Sequence, residues 1–266
     1  MSSGTKGTGG TETSGSGDIA RTLELLWDTG KRPSRGPKPG LTLDQIVEAA
    51  VRVADAEGLE AVSMRRIATE LGTGTMSLYR YVPGKAELLD LMLDRVQSLD
   101  ANPVTRHDGS WRGALEAMAH ASLALHRRHP WLLQINQTRP VLGPSALDTM
   151  EAVLAYIKPM GLTDPELVSV LIMVDGYVAG AARTQLYAQD AERRTGLTDA
   201  EFWQAQEPVL EKAMTSGRYP VMASLSDDTF GPDFDHFEFG LQRILDGLEV
   251  LVTRRGEERG RKHDEA

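Results

Sequence analysis

From residue 41 to residue 98 the apolar residues recur every three or four positions between start and stop signals, and they do not alternate in twos. That period admits helices and excludes a sheet. Thr42 is placed as an N-cap with Gln45 three residues on, the capping-box pattern. Ile46, Val47, Ala50, Val53 and Ala54 follow on one face until Gly58 ends the run. Ser63 caps a second helix with the face Ile67, Ala68, Leu71, closed by Gly72. A short third helix is predicted from about Gly74 to Tyr81, stopped at Pro83-Gly84. A fourth runs from about Lys85 to Ser98, with Leu88, Leu89, Met92, Leu93 and Val96 apolar. Further helices are predicted over about 110–128, 144–158, 164–194, 198–216 and 234–254, separated by Gly or Pro signals. The expected fold class is all-α, without an internal repeat.

Composition removes whole classes of function. None of the 266 residues is cysteine, so disulfides, thiolate nucleophiles, iron–sulfur clusters and cysteine-ligated zinc are excluded. The longest apolar stretch, Leu167 to Ala182, is interrupted by Ser169 and Asp175 and reads as too short to span a membrane. Residues 1–18 lack the apolar core of a signal peptide. The expectation is a cytoplasmic protein with no membrane partner. No Gly-x-Ser-x-Gly, Walker loop, dinucleotide-binding glycine pattern or His-Glu-x-x-His occurs, so neither a catalytic residue nor a cofactor is expected. His120, His126 and His129 read as solvated histidines near a helix C-terminus. Asp227, Asp228, Asp233 and Asp235 read as an exposed acidic loop and helix start, and no metal is assigned.

The formal charge of −9 disfavours nucleic acid at first sight, but its distribution does not. Residues 1–40 carry +2, 41–100 carry −4 and 101–266 carry −7. Residues 1–18, with six Gly, four Ser and four Thr, are expected to be disordered. Ile19 to Trp27 has apolar residues at helical spacing. Residues 31–40 then hold Lys31, Arg32, Arg35 and Lys38, three prolines and no acid. Three prolines favour an extended strip. Two readings stand for it: a solvated linker, or a basic arm lying along phosphate or entering a minor groove. Within 62–85, Arg65, Arg66, Arg80 and Lys85 face only Glu70.

Ala68, Gly72 and Leu78 have the spacing of a helix-turn-helix: a small residue for close approach, a glycine for the turn, an apolar plug for the interhelix core. The run Met64-Arg65-Arg66-Ile67-Ala68-Thr69-Glu70-Leu71-Gly72-Thr73-Gly74-Thr75-Met76-Ser77-Leu78-Tyr79-Arg80-Tyr81-Val82-Pro83-Gly84-Lys85-Ala86-Glu87-Leu88-Leu89 resembles the DNA-binding domain of the tetracycline-repressor (TetR) family. Leu78 to Leu89, Leu-Tyr-x-Tyr followed by Lys-x-x-Leu-Leu, is its most specific part, and the match covers roughly 42–96. Trp111, Thr138-Arg139-Pro140 and the long helix containing Gly180 more loosely resemble the family's ligand-binding half.

The resemblance implies a ligand-responsive repressor that binds a double-stranded operator as a homodimer. Its third helix would lie in the major groove, with Thr75, Met76, Ser77, Tyr79, Arg80 and Tyr81 as base or phosphate contacts. Short Thr75 and Ser77 suit the helix N-terminus, Met76 a thymine methyl, and Lys85 a phosphate. Thr42, Ser63 and Arg65 complete the DNA-contact set, with the arm residues Lys31, Arg32, Arg35 and Lys38. The alternative for Tyr79 or Tyr81 is partial burial against the first helix. Gly74 stands where the family often has Ser, Thr or Ala. The resemblance places the ligand among Met118, Ser122, Gln134, Asn136, Thr138, Arg139, Asp175, Tyr177 and Gln185. Its chemistry would be that of a drug-like molecule or metabolite in an apolar helical cavity. A core role for Met118, and a buried hydrogen bond or dimer contact for Asp175, are the competing assignments.

The expected division is a tail and basic arm over 1–40, a DNA-binding domain over 41–100, a ligand and dimerisation domain over 101–256, and a charged tail over 257–266. The apolar faces Leu167, Val170, Leu171, Val174, Val178, Ala182 and Phe237, Leu241, Ile244, Leu245, Leu248, Leu251 are the candidate dimer helices, with burial against one another inside the monomer as the alternative. An orphan regulator or activator without a ligand is the alternative function, and a helical enzyme is a more remote one.

Overall fold

The computed structural model describes residues 12–28, 40–99, 108–226, 229 and 234–264. The described residues are predominantly helical: α1 Ile19–Leu26, α2 Leu43–Glu57, α3 Met64–Glu70, α4 Thr75–Leu78, α5 Lys85–Leu99, α6 Trp111–Arg128, α7 Pro144–Ile157, α8 Asp164–Thr195, α9 Asp199–Thr215 and α10 His236–Asp264. Packing divides it into two compact units, 1–171 and 172–266.

In the first unit the predicted capping box forms. Thr42 Oγ1 accepts from the Gln45 amide at 3.2 Å, and Gln45 Oε1 accepts from the Thr42 amide at 2.9 Å. This fixes where α2 starts, and hence which face Ile46, Val47, Ala50 and Val53 turn inward. They meet Ile67, Leu78, Leu88, Leu89 and Met92 in one continuous core. Trp131, Leu132 and Ile135, from the turn after α6, enter the same core. The three-helix motif is therefore closed by residues from downstream of it.

A polar seam marks that closure. Asp55 on α2 accepts from Trp131 Nε1 at 2.7 Å and lies 2.7 Å from His129 Nδ1. His129 is only 2% exposed. The expectation of a solvated histidine is thus overturned: Pro130 ends α6 and folds the chain inward, carrying His129 with it. His120 and His126 stay on α6, each turned to the carbonyl four residues back.

Residues 12–18 also depart from the expected disorder. Glu12–Thr13 (β1) pairs in parallel with Ile135–Asn136 (β2), the short strands that helical periodicity did not announce. Composition missed this because the segment is held by backbone hydrogen bonds and by carboxylates of α5, not by apolar residues.

In the second unit, α8 buries Val174, Val178 and Ala182, and α10 buries Phe237, Leu241, Leu245 and Leu248. These positions, expected on the dimer faces, are instead covered within the single chain, because the same apolar stripe packs into its interior. By length and composition α8 is, against expectation, long and apolar enough to cross a membrane. Its buried residues follow a single stripe at helical spacing, and most of its apolar stretch is left exposed. α10 runs to Asp264, absorbing most of the expected charged tail. α9 starts from a capping box between Thr198 and Glu201 and buries none of its residues.

Candidate DNA-reading surface and ligand cavity

The turn between α3 and α4 is built by its glycine. Gly72 has φ +62°, the left-handed region. The Thr73 amide donates to Ala68 O at 2.9 Å and the Gly72 amide to Thr69 O at 3.1 Å, the paired bonds of a Schellman motif. A side chain would find open space at Gly72, so the demand for glycine is conformational. Gly74 is the N-cap of α4, outside the helix proper, and offers no side-chain cap.

The short helix is pinned from one side only. Leu78 and Val82 are completely buried, and Tyr81 packs partly against the core. The opposite side is bare: Met76 is 77% exposed and Tyr79 46% exposed. Of the two tyrosines, then, Tyr79 projects and Tyr81 is half-buried. Thr75 and Ser77 are part-exposed, while Arg80, Arg65, Ser63 and Thr42 are exposed. Uncovered Met and Tyr beside Arg on one short helix form a surface shaped for a partner.

Ion pairs sort the cations. Arg66 donates to Glu57 at 2.6 Å and to Glu70 at 3.0 Å. These hydrogen bonds hold the guanidinium pKa up and the Glu57 carboxyl down. Arg66 is thus spent inside the domain. Lys85 lies 2.8 Å from Glu12. Arg65 and Arg80 have no ion-pair partner among the described residues. Ser63 accepts from the Arg66 amide at 3.1 Å, and Thr42 caps α2. Their side-chain oxygens already have helical donors. Lys31, Arg32, Arg35 and Lys38 lie outside the described residues.

The sequence-assigned ligand residues fall in two places. Met118 and Ser122 are one turn apart on α6 and half-buried. Gln134, Asn136, Thr138 and Arg139 are exposed on the chain leading to α7, where Asn136 Oδ1 accepts from the Thr138 hydroxyl at 2.6 Å. In the second unit, Tyr177 and Gln185 line an open cavity of about 850 Å³ with Gly176, Gly180, Thr184, Phe234, His236 and Phe237. Asp175, next to the lining Gly176 in sequence, is exposed and is not part of the cavity lining.

The cavity wall is held by an aromatic key. The Tyr177 ring stacks on Phe237 at 5.7 Å between centroids, and its hydroxyl donates to Phe237 O at 2.8 Å. Burial, then Asp235 and Glu238, push its pKa up, so it remains a donor. Gly240 admits the ring, since a Cβ there would collide with the Tyr177 hydroxyl. Asp235 caps α10, accepting from the Glu238 amide at 2.8 Å. The sequence placed Phe237 on a dimer face and gave Phe234, His236 and Gly240 no ligand role; the aromatic residues of 234–237 at the start of a capped helix were the available signal.

Two family models match the chain. One, bacterial regulatory proteins of the tetR family, covers residues 46–92, and the other, the tetracyclin repressor-like C-terminal domain, covers 102–252. The chain belongs to the tetracycline-repressor family. Its relatives include the HTH-type transcriptional repressor DrrR1 of Streptomyces coeruleorubidus, 78% identical over 96% of this chain and 94% of that one. The class A tetracycline repressor of Escherichia coli is 27% identical over 79% of this chain and 92% of that one. Among solved structures, ActR of Streptomyces coelicolor in complex with actinorhodin is 30% identical, with a TM-score of 0.65, over 80% of this chain and 97% of that one. This member of the family is a DNA-binding transcriptional repressor rather than an enzyme.

Proposed function

We propose that the chain acts in the cytoplasm as a homodimeric repressor that grips a palindromic operator through α4 and releases it when a small molecule binds the helical C-terminal half. The observation that carries the DNA reading is the bare side of α4, where Met76 and Tyr79 stand exposed beside Arg80 while Leu78 anchors the helix from beneath. Thr75, Met76, Ser77 and Tyr79 reach base edges or phosphate, Arg65, Arg80 and Lys85 grip phosphate, and Thr42, Ser63 and Tyr81 lie at the margin of the contact. Lys31, Arg32, Arg35 and Lys38 add counterion release from the arm.

A dimer supplies the second half-site that one short helix needs for specificity. The exposed Val168, Ile172 and Met173 on α8 and Val250 on α10 support that association. The aromatic-lined cavity beside Tyr177 and Gln185 supports ligand control, as does the actinorhodin complex of ActR. Met118, Ser122, Gln134, Asn136, Thr138, Arg139 and Asp175 are the remaining ligand candidates.

The test uses DNA from upstream of the protein's own gene in a gel shift, with actinorhodin as the first compound added. Sequence-selective, salt-sensitive binding that the compound reverses is expected. Equal affinity for a scrambled duplex would overturn the DNA reading. Selective binding that no compound of a broad panel reverses would leave an orphan repressor.

A further inference from the structure

Lys85, the first residue of α5, is the cation assigned to DNA phosphate, and in the free chain it already has an anion. Its ammonium lies 2.8 Å from Glu12 Oε1, with the two side chains 32% and 37% exposed. Glu12 is not a loose end. Two residues on, the buried Ser14 donates to Asp90 Oδ1 at 2.6 Å, and the Gly15 amide donates to both Asp90 oxygens at 3.1 and 3.2 Å. The Asp18 amide donates to Glu87 at 2.9 Å, and Gly17 lies so close that a Cβ would strike that carboxylate. Residues 12–18 are thus strapped along the carboxylate face of α5.

The strap holds a second segment as well. Glu12 and Thr13 pair with Ile135 and Asn136, the Ser14 amide donates to Asn136 O at 3.0 Å, and the Val141 amide donates to Ser14 Oγ at 3.3 Å. Ser14 therefore joins α5 to residues 136–141 through one buried side chain. The position of the Glu12 carboxylate is fixed from both sides, and a displacement of 135–141 would move it relative to Lys85.

We propose that Glu12 is an intramolecular counter-anion that occupies Lys85 in place of a DNA phosphate, and that the strap 12–18 sets that contact from residues 135–141. The proposal rests on the reading of Lys85 as a DNA contact. A carboxylate and a phosphate oxygen compete for one ammonium, so DNA affinity is lowered by what the pair contributes. For an exposed pair that is about two- to five-fold per subunit. A Glu12 freed of Lys85 also takes up a solution cation, which cancels part of the counterion release that Lys85 brings about on DNA.

The experiment measures anisotropy of a labelled mixed-sequence duplex against salt for the full chain, Glu12→Gln, Lys85→Gln, the double variant and Ser14→Ala. Glu12→Gln is expected to raise affinity about two- to five-fold per subunit and to steepen the salt slope by up to about 0.9 per subunit. Both gains should vanish in the Lys85→Gln background, where no ammonium remains to be freed. Ser14→Ala changes no charge and should move affinity in the same direction by loosening the strap. If Glu12→Gln acts equally with and without Lys85, the carboxylate merely repels DNA and the proposal falls. A silent Glu12→Gln alongside a weakened Lys85→Gln also overturns it. Unchanged binding by Lys85→Gln in both backgrounds would instead refute the DNA role of Lys85, and the proposal with it.

Discussion

Residues 40–99 and residues 172–226 bury their apolar side chains to opposite extents. In the first stretch Ile46, Ile67, Leu78, Leu88, Leu89 and Met92 are sealed, and the large apolar groups left bare are Met76 on α4 and Tyr79 at its end. In the second, Ile172 is 67% exposed, Val209 72% and Val221 75%, with Phe202 and Trp203 about half exposed. Exposed apolar surface on this scale marks a binding face. The first region is finished by its own residues and those of the α6–α7 connection; the second is shaped for something else to cover. The proposed roles follow the same division: a rigid reader needs a closed core, and a sensor and dimer element needs a face that exchanges partners.

The severest challenge to the closed region is Leu78→Ala. Removing a fully buried side chain from the core beneath α4 should cost about 2–5 kcal/mol and abolish DNA binding, as followed by thermal unfolding and gel shift. A stable variant that still binds DNA would mean that the core does not position α4.

Ile172→Asp probes the open region. It should weaken dimerisation by about 2 kcal/mol, roughly thirty-fold in dissociation constant, with little loss of monomer stability. Light scattering across a dilution series reads it, and an unchanged dimer would remove α8 from the interface.

Asp55→Ala sharpens the boundary of the closed region. It leaves Trp131 Nε1 without its acceptor and His129 Nδ1 without its partner, an expected loss of about 1–3 kcal/mol in denaturant unfolding. A neutral result would show that the seam with the α6–α7 connection is dispensable.

The smallest effect concerns pH. Burial, first of all, raises the Asp90 pKa, against the lowering from Ser14 and Gly15. A carboxyl whose folded pKa is raised favours the folded state most when protonated. Its contribution is full below the unfolded value and is lost as pH rises through the raised folded value. Stability of the native chain relative to Asp90→Asn should therefore fall as pH climbs from the ordinary carboxylate range. A constant difference would show that the ionisation is not linked to folding.

Sequence disclosed the closed region well because its signals are local. Thr42 with Gln45, Ser63, Gly72 and Leu78 each act within a few residues, and each does in the fold what its chemistry requires. The contacts that escaped are long-range: Glu12 with Lys85, Ser14 with Asp90, and Asp55 with His129 and Trp131. None has a periodicity, since each joins residues more than seventy positions apart. In the open region Tyr177 and Gln185 came from the family resemblance alone, and both line the cavity. The roles of Phe234, Phe237 and Gly240 were not legible, because they depend on how α10 meets α8.

The central claim is that a closed reader is doubled by an open dimer element, and nuclease footprinting of the upstream DNA tests it most directly. The account predicts two protected half-sites related by a two-fold axis and about 34 Å, or a multiple of that, apart. Both should be lost together with Tyr79→Ala or Ile172→Asp. A single protected half-site, retained when dimerisation is broken, would contradict it.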